Sequence, residues 1–389
     1  MHACKCFALM LLLPLTLGTA VFADEAKVLT DIFREGPASV SYSRQFETAV
    51  PLSSMQQLLV QLTMQLGNFK QVEGTSNPYK VVFEQGTVTA YISLDGQGNV
   101  AGLQLTEVIS SRLTLADCVK QITDLDAETA VLIRKNGQAL VSLQADVPLA
   151  VGSAFKLGIL AALDDAVRAK RMQWGQSVML EESYKSLPTG ILQDWPVGSR
   201  ITIETLATLM ISQSDNTAAD ALLSLVSRQE VDRYLTHSKP TLSTAEMFTL
   251  KNPDNSDILA RFRASSAGER LSLLGELKAR KLPKTSLFSG DPVAIDVEWF
   301  MTVSELADLI ERLETLDLMT VNAGLATKEH WQRVAYKGGS EPGVLNLTTF
   351  LIDEHMNRYT VVVTVNNNEK PLDEKKIMES YQAILHYLQ

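Results

Sequence analysis

The chain has 389 residues, 46% of them hydrophobic, enough for a large buried core and for two domains. Its formal net charge is −10 and no Lys/Arg-rich stripe appears. That balance argues against nucleic acid or an anionic membrane surface as partners.

The N-terminus reads as an export signal. Lys5 supplies a positive start, "FALMLLLPLTLG" an apolar core, and "VFA" before Asp24 a small-residue cleavage site. A membrane anchor needs roughly 20 apolar residues; this run is shorter and contains Pro14. The expectation is a signal peptide over residues 1–23, removed after Ala23, with no stable membrane anchor left and a periplasmic or secreted product. Removal would take away Cys4 and Cys6 and leave Cys118, ruling out an intramolecular disulfide in the mature chain.

Residues 24–115 read as a small α+β domain. In "SSMQQLLVQLTMQLG", Met55, Leu58, Leu59, Leu62 and Leu66 recur at helical spacing, with Ser53 or Ser54 as cap and Gly67 as stop. Three strand-like runs follow, "YKVVFEQ", "VTAYISL" and "VAGLQLTEV". A helix on an antiparallel meander is the simplest assembly, and no chemical motif stands out in it.

Residues 116–389 open with "AVLIRKNGQALVSL", two strands around the Asn136-Gly137 turn. A mainly helical stretch follows, roughly 153–317, in which Thr302 and Glu305 form a capping box. "RVAYKGG", "VLNLTTFLID" and "YTVVVTVNN" then alternate as antiparallel strands before a last helix from about Asp373. Strands at both ends and helices between predict one sheet assembled from both ends, flanked by helices, with the helical part inserted. The fold class is α+β.

Chemistry starts at "VGSAFKLGILAAL". Ser153 and Lys156 lie about one helical turn apart and project from one face. The pair alone fits a nucleophile beside its base and equally a helix cap. Further on come Ser214-Asp215-Asn216, between two helix-like runs, and Lys337-Gly338-Gly339 on an expected strand. Each is weak alone. Together, in this order and on helix, loop and strand, they are specific.

With these residues the chain resembles the class A β-lactamase and penicillin-binding group, whose signature is S-x-x-K, S-D-N and K-T-G. The resemblance covers about residues 116–389 and includes "GSRITIETLATLMISQSDNTAADALL". The two-domain layout resembles the β-lactamase-like proteins of clavulanic acid biosynthesis, which carry a small steroid-isomerase-like domain first. The resemblance implies a serine hydrolase working through an acyl-serine intermediate on an ester or amide, without metal or cofactor. Ser153 would be the nucleophile and Lys156 its base, activated by burial and by the charge of Lys337. Ser214 would relay the proton and Asn216 would bind substrate. Asp215 would hold the loop. The N–H groups of Ser153 and Ser340, beside Gly339, would form the oxyanion hole. Thr189, in "SLPTGIL", falls where this group has a loop over the entrance and is a candidate substrate contact.

Two departures bear on substrate. Gly338 stands where K-T-G has a hydroxyl that helps hold a substrate carboxylate; Ser340 offers another, expected on the opposite face of the strand. Class A enzymes activate the hydrolytic water with the glutamate of E-x-x-x-N. Here Glu246 in "LSTAEMFTLKNPDN" is the candidate base, and residue 250 is Leu rather than Asn. These features suit an esterase, a slow peptidase or a penicillin-sensing protein better than an efficient β-lactamase. The alternatives are a true class A β-lactamase and a penicillin-binding or sensing protein that acylates with little turnover. His237, His330, His355 and His386 show no metal-ligand spacing.

Overall fold

The computed structural model describes residues 25–110, 114–187 and 189–389. The expected signal peptide and its cleavage site lie outside the described residues. The chain divides into two compact units, the first ending at Asp117 and the second starting at Cys118. No helix among the described residues is long and apolar enough to cross a membrane.

The first unit lays helices on a four-stranded antiparallel meander. Helices α1 (Glu25–Glu35), α2 (Arg44–Ala49) and α3 (Leu52–Leu66) precede β1 (Phe69–Glu73), β2 (Tyr79–Phe83), β3 (Gly86–Leu94) and β4 (Val100–Ser110), paired in sequence order. Neither Ser53 nor Ser54 caps α3. Pro51 occupies the cap position, its ring fixing φ for entry, and Gly67 at φ 79° ends the helix as expected. Strand β1 goes unread in the sequence because "FKQVE" has no buried residue and lacks the alternating pattern. Leu29, Ile32, Met55, Leu62 and Leu66 close over Val81, Val88, Ala90 and Ile92 to form this unit's own core.

The second unit is built on a five-stranded antiparallel sheet in the order β7-β8-β9-β5-β6. Strands β5 (Glu128–Lys135) and β6 (Gln138–Leu143) come from its beginning. Strands β7 (Arg333–Glu341), β8 (Val344–Ile352) and β9 (Arg358–Asn366) come from its end. Asn136 and Gly137 both take positive φ in the β5–β6 turn, the left-handed pair that a two-residue hairpin demands. Every residue of β8 is buried, as a strand covered on both faces requires. Phe350 and Val362 face the helical core. Thr349 meets the Tyr381 hydroxyl of the last helix at 2.7 Å. Thr302 caps its helix, Val303–Leu313, reciprocally with Glu305.

The inserted helices place the motifs. Helix α4 (Lys156–Arg168) has ten buried residues, which puts Lys156 under the core rather than at the surface. Helices α5 (Ile203–Ser212) and α6 (Asn216–Val226) bracket Ser214-Asp215, and α7 (Thr244–Lys251) carries Glu246.

Candidate active site

Ser153 sits in a single 3₁₀ turn, Gly152–Phe155, that runs directly into α4. The turn is held from two sides. Asn366 of β9 bonds both backbone groups of Ala150, at 2.8 and 2.9 Å, and Val151 N donates to Trp299 O at 2.9 Å. The Phe155 ring stacks on Trp299 with centroids 3.8 Å apart. Neither the turn nor α4 has a side-chain cap, so Ser153 does not serve as one. Its Oγ lies 3.1 Å from Lys156 Nζ.

Lys156 is fully buried, and its Nζ is surrounded by oxygens of the motif residues. Ser214 O and Asn216 Oδ1 each accept at 2.7 Å, and Ser214 Oγ lies at 3.2 Å. Burial lowers the amine to about 7, with the charges of Asp220, Asp215 and Glu341 opposing the shift. The expected help from Lys337 falls on the other partner. Lys337 Nζ lies 3.1 Å from Ser214 Oγ, and burial followed by the charge of Lys156 holds it well below its ordinary value. Repulsion between two ammonium groups is mutual, and it is relieved once either is neutral. For Lys156 the lowering comes from burial rather than from the charge of Lys337.

Ser214 adopts φ 56°, a left-handed conformation costing roughly 1–2 kcal/mol for a residue with a Cβ. Its surroundings enforce it. The Ser214 carbonyl accepts from Lys156 and from Thr189 Oγ1 at 2.9 Å. Next to it, the Asp215 carboxylate accepts from Ile191 N, Leu192 N and Ala218 N at 2.7–2.9 Å. Asp215 thereby caps α6 and ties down the 190–192 loop, and its oxygens point away from the reacting groups. Asn216 also has a positioning share: Oδ1 holds Lys156 while Nδ2 donates to Leu187 O at 3.0 Å.

Strand β7 passes so close to the Ser153 turn that a Cβ at Gly339 would collide with Val151 O, Ser153 N and Ala154 N. Glycine is therefore required where the strand meets the backbone of the Ser153 turn. The missing hydroxyl at 338 also has a physical reason, since a Cβ there would run into the Tyr336 phenol. Ser340 lies two residues from Gly338 and so shares its face, contrary to the expected opposite face. Its Oγ is engaged by Glu374 at 3.0 Å.

A cavity of about 430 Å³ opens onto Ser153, lined also by Thr189, Asn216, Ser340 and Glu341, with Trp299 among its apolar walls. Glu246 is not part of the lining. One of its oxygens closes the capping box with Ser243 N at 2.8 Å, and the other accepts from Arg228 at 2.9 Å. A different acidic group lies close by, one that no motif spacing marks. Lys251 Nζ forms a buried ion pair with Glu298 and lies 3.9 Å from Glu341 Oε2. Glu341 follows Ser340 directly, and that adjacency in "KGGSEP" was the available signal.

Residues 114–386 match the Beta-lactamase enzyme family, and the chain belongs to it. It is thus a member of the β-lactamase-like serine hydrolase class. A solved β-lactamase from Sphaerobacter thermophilus DSM 20745 shares the fold at 19% identity and TM-score 0.51, over 70% of this chain and 94% of that one. PBP-A, whose structures include a mutant's acyl-enzyme complex with penicillin G, aligns at 14–15% identity with TM-score 0.49, over 70% of this chain and 94–95% of its own. No curated protein matches the sequence.

Proposed function

We propose that this protein is an exported serine hydrolase that acylates Ser153 with an ester or amide substrate and then hydrolyses the acyl-enzyme. The observation that carries the reading is the wholly buried Lys156 amine 3.1 Å from Ser153 Oγ. A serine hydroxyl attacks a carbonyl only as a base removes its proton, and an amine lowered to about 7 is neutral often enough to do so at physiological pH. As Oγ attacks, Lys156 takes the proton. Ser214 Oγ, within 3.2 Å of both amines, relays that proton from Lys156 to the leaving group, which returns the amine to its neutral form. The N–H groups of Ser153 and Ser340 hold the tetrahedral oxygen. Export rests on the pattern of residues 1–23.

Small activated esters are the favoured substrate class over penicillins. Gly338 gives no side-chain hydroxyl to a substrate carboxylate, and a hydrogen bond to a charged group is typically worth ~1.5–3 kcal/mol, roughly tenfold to a hundredfold in binding. Intact-mass analysis after exposure to p-nitrophenyl acetate and to penicillin G should show adducts that Ser153→Ala abolishes, together with ready ester hydrolysis and weak penicillin turnover. Penicillin hydrolysis with kcat/KM in the ordinary enzyme range of ~10⁴–10⁸ M⁻¹s⁻¹ would promote the class A β-lactamase reading instead. Unchanged labelling of Ser153→Ala would remove the nucleophile.

A further inference from the structure

Hydrolysis of an acyl-serine needs a group that deprotonates water, and both oxygens of Glu246 are committed to structural partners. Another carboxylate reaches the cavity. Glu341 is the last residue of β7, directly after Ser340, and it lines the same cavity as Ser153. Its side chain is only 12% exposed, and among the described residues its buried Oε2 has no hydrogen-bond partner. The nearest cation, Lys251 Nζ, stands 3.9 Å away and is bound to Glu298. A buried carboxylate oxygen left unpaired is costly unless it serves a ligand or a water.

We infer that Glu341 is the general base for deacylation, taking a proton from the water that attacks the acyl-Ser153 ester. The inference rests on the acyl-serine reading above. The water oxygen bonds to the acyl carbon while one of its protons passes to the Glu341 carboxylate. The tetrahedral intermediate collapses by breaking the bond from carbon to Ser153 Oγ, and Oγ takes the proton that Glu341 gained from the water. The product leaves as a carboxylic acid, and the Ser153 hydroxyl, the neutral Lys156 amine and the ionised Glu341 carboxylate are restored together.

The groups facing Glu341 give the step a pH signature. Lys251 lies 3.9 Å away, Glu298 and Lys156 are within electrostatic reach, and Glu374, which accepts from Ser340 Oγ, lines the same cavity. Burial, then the charge of Glu298, holds the Glu341 carboxyl above the ordinary carboxylate range, while Lys251 and Lys156 pull it down. The ionised base therefore grows as pH rises, and deacylation accelerates with it.

Stopped-flow measurement of p-nitrophenyl acetate hydrolysis by the full chain separates the two steps, the burst reporting acylation and the steady state deacylation. Glu341→Gln should keep the burst and accumulate acetyl-Ser153 by intact mass. Its steady-state rate should fall by about 10²-fold or more, and the rise of deacylation with pH should disappear. Glu341→Asp, which keeps a carboxylate on a shorter arm, should retain an intermediate rate and the pH rise, and it secures the test if the glutamine variant folds poorly. An unchanged steady state in folded Glu341→Gln would overturn the assignment, as would acyl-enzyme accumulating in Glu246→Gln instead. A wild-type chain with no burst and no adduct would remove the acyl-serine reading itself, a result recognisably different from either.

Discussion

Lys156 is held at a cost in charge solvation. Its Nζ contacts hydroxyl, carbonyl and amide oxygens but no carboxylate, and the chain buries it completely. In the unfolded chain it would titrate near the ordinary 10.5; in the folded protein it does so at about 7. Between these values the unfolded chain binds one more proton than the folded one, so stability rises with pH across that window. The penalty for burying the charge is fully present below about pH 7 and fades towards pH 10.5. Lys156→Met lacks this titration. Thermal melts of wild type and Lys156→Met should therefore diverge in wild type's favour as pH rises from 7 to 10, whereas a constant difference would mean the amine keeps an ordinary value. The same substitution should slow acylation by at least ~10²-fold if the amine is the base. Acylation by wild type should rise with pH through about 7, the neutral amine being the active form.

Strand β7 and the loop around Asp215 turn these side chains into a site, and each depends on few residues. Gly339→Ala would drive its methyl into the backbone of the nucleophile turn, and overpacking of this kind costs typically ~1–3 kcal/mol. The strand must retreat from Ser153, so a lower melting temperature should accompany loss of the acylation burst. Asp215→Ala leaves three backbone N–H groups without their acceptor, each at about 1–3 kcal/mol when buried. It should melt well below wild type, and Ser214, no longer braced, should lose its left-handed backbone and the relay with it. How much of this the sequence discloses follows from where each signal resides. Ser153 with Lys156 and the Ser214–Asn216 triplet are spaced within one helix start or one loop, so local geometry already brings them together. Strands β7, β8 and β9 are legible from alternation, and the Asn136-Gly137 turn from its left-handed demand. The polar edge strand Phe69–Glu73 has neither. Lys251, Glu298 and Glu341 lie on three separated segments, and only tertiary folding makes them neighbours. Sequence spacing points to Glu246 because it is near the expected position, but its own capping box and Arg228 use up the carboxylate.

At the scale of the whole molecule, the two units have separate cores. Leu29, Ile32, Leu62 and Val88 belong to one, and Phe155, Leu160, Met210 and Phe350 to the other. Every group assigned to the reaction, from Ser153 to Glu341, lies in the second unit, and the family match begins only at residue 114. Its sheet draws strands from both ends of that unit, so it closes on its own chain without borrowing from the first. A unit of this size buries enough apolar surface to fold independently. Residues 114–389 produced alone should therefore fold cooperatively and show the same ester burst as the full chain, with a steady-state rate changed by no more than a few-fold. Circular dichroism establishes folding, and the burst amplitude counts competent sites. A folded fragment that has lost the burst would show that the first unit contributes to the site, and a fragment that fails to fold would show that the two cores stand or fall together.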